Sequence, residues 1–88
     1  MTLDLISFRN KKVGFWHAPV VNHTRTDEDL IESYRRALAS GDFKGHPEEL
    51  ELYHLASFDD KTGEMNVCPK PVFIVSLDQL MPKGKISN

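Results

Sequence analysis

The chain has a single cysteine, Cys68, in 88 residues. An intramolecular disulfide is excluded, and the thiol usage fits a reducing compartment. No apolar run approaches the roughly 20 residues that a bilayer-spanning helix needs. The opening residues Met1-Thr2-Leu3-Asp4-Leu5-Ile6 put an acid where a secretory leader carries positive charge. A protein that stays in the cell that makes it, with no membrane partner, is the expectation. Positive charge is also short: 11 Lys and Arg stand against 13 Asp and Glu, for a formal net charge of −2. Binders of nucleic acid or anionic lipid normally carry a basic excess, because phosphates are met by Lys and Arg. Such binding here needs a local basic face or several copies of the chain. Phosphate-loop and dinucleotide glycine patterns are missing too; Gly41 and Gly45 are followed by no Lys-Ser or Lys-Thr pair.

What is present is ordinary globular material. The chain is 40% hydrophobic and 27% charged, enough for one packed core in one domain. Residues 3–8 read as a strand, followed by the polar turn Arg9-Asn10-Lys11-Lys12 and a second strand over 13–16. Gly14 within that strand suggests a bulge or a close backbone approach. Pro19 interrupts, and Val20-Val21 continues an edge. A helix over 27–40 is marked by Thr26 as N-cap, acids at 27–29, and Gly41 just past its end. Leu30, Ile31, Tyr34, Ala37 and Leu38 make its apolar stripe, and Glu32 is placed to pair with Arg35 or Arg36. A strand over 50–58 follows, then a hairpin turn at 59–64 with Gly63 in the left-handed position, and a partner strand over 65–68. Pro69 and Pro71 are expected to end that pairing, with a further strand at 72–75 and a short turn at 78–81. Residues 82–88 hold little to bury and read as a flexible tail beyond a domain at 1–81. The fold class is α+β: a small, mostly antiparallel sheet of four to five strands with one main helix packed on one face. Exposed strand edges favour a homo-oligomer, a dimer or larger.

Chemistry-bearing residues are few. His17, His23, His46 and His54 share no metal-ligand spacing, and Cys68 has no second cysteine to make a finger. Cys68 as a nucleophile needs a base and an orienting group beside it; a buried strand residue is the simpler reading. Asp59, Asp60 and Glu64 suit turn chemistry better than a calcium loop. No catalytic residue, metal or cofactor is expected, and the chain reads as no enzyme. The basic turn Arg9, Lys11 and Lys12, next to Phe15 and Trp16, is a different matter. Cations beside aromatics suit single-stranded nucleic acid, where phosphates meet charge and bases stack on rings. On composition alone, a core aromatic pair and a solvated charged face explain these residues better.

Three stretches have a wider likeness. They are Phe8-Arg9-Asn10-Lys11-Lys12-Val13-Gly14-Phe15, then Tyr34-Arg35-Arg36-Ala37-Leu38, then His46-Pro47-Glu48-Glu49-Leu50-Glu51-Leu52-Tyr53-His54-Leu55, which runs on to Ser57-Phe58-Asp59-Asp60-Lys61-Thr62-Gly63-Glu64. Together these resemble the small non-structural protein of gokushovirus-type microviruses, phages with single-stranded DNA. That family is commonly labelled DNA-binding or replication-accessory. Many relatives have Gly where this chain has Ala56-Ser57, a difference of strand geometry. The resemblance implies a phage protein in the cytoplasm of a bacterial host, acting around the genome. It makes non-specific binding of single-stranded DNA, during genome replication or packaging, the first expectation. Arg9, Lys11, Lys12, Arg35 and Arg36 are the expected phosphate contacts, with Phe15 or Trp16 for stacking. The alternative is an interaction module for a host replication factor or the phage initiator or procapsid. It would use Asp27, Glu28 and Asp29 or Glu48, Glu49 and Glu51, without DNA binding.

Overall fold

A computed structural model describes residues 2–24 and 26–81. Arg25 and the expected tail at 82–88 lie outside the described residues. The elements are β1 (Thr2–Asn10), β2 (Phe15–Trp16), β3 (Val20–Asn22), α1 (Asp27–Ser40), β4 (Leu50–Asp59) and β5 (Met65–Ser76), with 3-10 turns at Pro47–Glu49 and Leu77–Leu80. The strands form one antiparallel sheet in the order β2-β1-β4-β5, and β3 shares β1's outer edge with β2. Among the described residues this is the expected α+β architecture, one α-helix and five strands.

The helix takes the bounds that its termini dictate. The Thr26 hydroxyl accepts from the Asp29 backbone N–H at 3.1 Å. At the other end Gly41 adopts φ 80°, and the chain closes as a Schellman motif. Gly41 N–H donates to the Leu38 carbonyl, and Asp42 N–H to that of Ala37. Leu30 is buried, and Ile31, Tyr34 and Leu38 pack on the core formed by Ile6, Leu50, Leu52, Val75, Leu77 and Leu80.

Two sequence expectations are corrected. The strand expected over 13–16 is only Phe15–Trp16. The Asn10 side-chain oxygen accepts from the N–H groups of Lys12 and Val13 and bends 11–14 into a turn. The strands expected separately at 65–68 and 72–75 are one strand of 12 residues. Pro69 and Pro71 fall within the register shift between His54 and Ala56, on an edge strand, where the ladder needs no N–H from them. The turn at 59–64 forms as expected. The Asp59 carbonyl accepts from Gly63 N–H, and Gly63 sits at φ 79°.

Register decides which side chains share a face. Residues opposite each other in a ladder point to the same side, and neighbours along a strand to opposite sides. Phe8, Leu52 and Val75 are in one row, under the helix. Ser7, Tyr53 and Phe73 are in the next row and point away from it. A helix of 14 residues is about 21 Å long. It covers one face of the sheet only.

Candidate nucleic-acid interface

The helix-free face carries a row of aromatic rings across the sheet. Trp16 on β2 meets Tyr53 on β4 edge-on, with centroids 5.0 Å apart at 62°. Tyr53 meets Phe73 on β5 in the same manner, at 5.6 Å and 74°. Trp16 is 42% exposed and Phe73 is 51% exposed, so the rings line the sheet without being sealed by it. Ser7 lies buried in the row, its hydroxyl donating to the His17 carbonyl at 2.5 Å. That bond ties β1 to the 17–19 segment where Pro19 breaks the edge strand.

Arg9 pairs with Trp16 on one side and Glu51 on the other, so all three face the same way. The Tyr53 hydroxyl donates to Glu51 Oε1 at 3.1 Å. Partial burial raises the Tyr53 pKa, the bond to Glu51 and that carboxylate's charge raise it further, and the charge of Arg9 opposes them. Among the described residues, Arg9 is the arginine without an ion pair.

The other expected contacts stand elsewhere. Lys11 Nζ is 3.8 Å from Asp78 and donates to the Ser76 hydroxyl, while Lys12 Nζ is 3.8 Å from Glu49. Phe15 is 73% exposed but is in register with Asn10, one residue out of phase with Trp16, and so points to the other side. Arg35 and Arg36 both bind Glu32, at 2.6 and 3.5 Å, on the helix across the sheet from the aromatic row. The fold thus brings Arg9 and Trp16 together, separates them from Arg35 and Arg36, and adds Tyr53 and Phe73.

Further along the same face the row turns aliphatic. Leu3, Phe58 and Met65 share one rung, and Leu5, Ala56 and Val67 the next, with Val21 beside Leu5. Met65 is 50% exposed and Val67 is 70% exposed. These two rungs carry no charged side chain.

Two small polar clusters stand apart from this face among the described residues. His46, Glu48 and Glu49 bring one ligand atom each within 4.8 Å of one another. Both Glu49 oxygens are engaged, one by the Asn10 amide and the other by Lys12. Cys68 Sγ lies 3.8 Å from His54 Nδ1, and His54 Nε2 lies 3.4 Å from Asp4 and 2.9 Å from the Ala56 carbonyl.

The family model described as Phage ORF5 protein matches residues 3–80. The chain belongs to the Phage ORF5 protein family. This is therefore a phage protein, and the match takes in the helix and the described strands of its fold except Thr2 of β1. No curated protein and no solved structure matches the chain. Among the described residues of this phage chain, no helix is long and apolar enough to cross a membrane.

Proposed function

We propose that this phage protein is an accessory factor that binds single-stranded DNA on the helix-free face of its sheet, without sequence preference, in the bacterial cytoplasm during genome replication or packaging. The observation that carries the reading is the Trp16–Tyr53–Phe73 row, exposed at both ends and half-buried at Tyr53, beside the unpaired Arg9. Successive bases stack on successive rings, since every base offers a π-face, and the guanidinium meets a phosphate or covers a ring. The resemblance to microvirus non-structural proteins supports the same ligand class, and membership in a phage family is consistent with it. Lys11, Lys12, Arg35 and Arg36 have acidic partners, so stacking supplies more of this affinity than charge does.

The test is anisotropy of a labelled oligothymidylate at low and physiological salt. Each phosphate contact by a cation contributes about −0.7 to the slope of log K against log salt on a single strand. With Arg9 as the free contact, saturable binding with a slope near −1 is expected. A slope steeper than about −3 contradicts the reading, because it requires several cations. Absence of binding at low salt contradicts it outright. It would favour the interaction module, with the exposed acids Asp27, Glu28 and Asp29 at the helix start as its surface.

A further inference from the structure

We infer that, when DNA is absent, a second copy of this chain closes the helix-free face as a two-fold pair, so that self-association and DNA compete for one surface. The competition rests on the proposed DNA site; the self-association does not.

The face has an aromatic half and an aliphatic half. No charged side chain lies on the aliphatic rungs ending in Met65 and Val67, so a phosphate backbone gains nothing there. Their exposed members Met65 and Val67, with Val21 at the edge, leave apolar surface of the kind that marks an interaction site. Association through the strand edges is obstructed. The outer edge of β5 carries Pro69 and Pro71, which lack N–H groups, and the opposite edge is broken at Pro19. Association through the face remains.

Size agrees with a copy as the occupant. Three strands of about nine residues, with the five residues of β2 and β3 beside them, at about 3.4 Å per residue and about 4.8 Å between strands give a face of roughly 520 Å² per copy, or about 1,000 Å² in total, the floor for a specific interface. The aliphatic half alone gives about half of that, too little for a stable pair. A stable pair therefore has to use the aromatic half as well.

Charge selects the arrangement. The turn at the far end of the face carries Asp59, Asp60, Lys61 and Glu64, a net −2 by one Lys against three acids. A two-fold axis along the strands would set this turn against its own copy. An axis across the strands sets it instead over the partner's Arg9 end and lays Met65 and Val67 of β5 on the partner's β5 at Phe73. That second arrangement matches aliphatic to aromatic and avoids like-charge apposition.

Size-exclusion chromatography with light scattering, from about 10 to 200 μM, tests this on the full chain and on Val67→Lys. Val67 is largely exposed, so the variant keeps its fold, as circular dichroism checks. A mass near twice the 10.0 kDa of one chain is expected for the native protein, with Val67→Lys monomeric at every concentration. Adding oligothymidylate should convert the native dimer to a DNA-bound monomer. A native chain that is monomeric throughout overturns the inference. So does a dimer unaffected by Val67→Lys, or one that binds DNA without dissociating. A dimer disrupted by Val67→Lys but indifferent to DNA supports self-pairing and overturns the functional reading instead.

Discussion

Phe73→Ala separates a stacking surface from a structural core residue. Phe73 is 51% exposed on an edge strand, and its ring contact is Tyr53 at 5.6 Å. Such an aromatic pair contributes about 0.5–1.5 kcal/mol beyond area burial. A domain of 88 residues has roughly 4–13 kcal/mol of stability in all, so the variant stays folded. Base stacking on a ring contributes about 1–3 kcal/mol, which corresponds to ~5- to ~150-fold in affinity for oligothymidylate. The control is Arg35→Glu with Arg36→Glu. That double variant reverses two charges across the sheet from the aromatic row, where ~0.15 M salt screens interactions beyond about 8 Å. Less than about a threefold change is expected there at that salt. Anisotropy titrations of the three proteins, with urea midpoints to confirm folding, give the comparison. The reasoning is refuted if Phe73→Ala binds like the native chain while the helix variant loses affinity, because the strand would then lie along α1.

Other expected outcomes concern the scaffold that holds the face. Leu52 is fully buried between Phe8 and Val75. Leu52→Ala should cost about 2–5 kcal/mol and lower the urea midpoint by ~2 M or more; a shift under ~1 M would contradict its place at the centre of the core. At Gly41 a Cβ meets nothing within 4 Å, so Gly41→Ala costs only the left-handed backbone at φ 80°, about 1 kcal/mol, and Gly41→Asn less. Equal urea midpoints for the three proteins would dismiss the Schellman closure. Asp78 titrates below its ordinary 3.8, chiefly because the Ser76 hydroxyl donates to it at 2.6 Å, helped by the charge of Lys11. Asp59 is likewise lowered, first by the Lys61 N–H. A carboxyl that ionises more readily folded than unfolded stabilises the fold above its unfolded pKa, and that contribution disappears as pH falls through its folded pKa. Urea midpoints should hold level between about pH 8 and 5 and decline below about pH 4, less steeply in Asp78→Asn. An equally steep acid decline in that variant would exclude Asp78 from the effect.

Helix α1 and the turn at 59–64 are legible because their signals are local. A capping hydroxyl, a left-handed glycine and an Asp-started turn act within a few residues. Strand β5 reads as two strands because Pro69 and Pro71 look like terminators; only its place at the sheet edge makes them tolerable. Arg9 and Trp16 are linked by a short hairpin, so their proximity can be read from the chain. Tyr53 and Phe73 cannot be read in that way. Which face they occupy depends on the register of β4 against β1 and β5, and a one-residue slip reverses it. The sheet has irregularities between Leu5 and Ile6, between Leu52 and Tyr53, and between His54 and Ala56, none flagged by a glycine. The separation of Arg35 and Arg36 from the aromatic row is equally a matter of layers, invisible in a list of cations.

Trp16 is the one tryptophan of the chain and stands at one end of the proposed binding row, so its emission reports on that site directly. Titration with unlabelled oligothymidylate should quench it saturably, with the same midpoint as the anisotropy of the labelled strand, as a base stacks on the indole. Unchanged emission across a concentration range in which anisotropy registers binding would put the DNA elsewhere on the molecule and contradict the account.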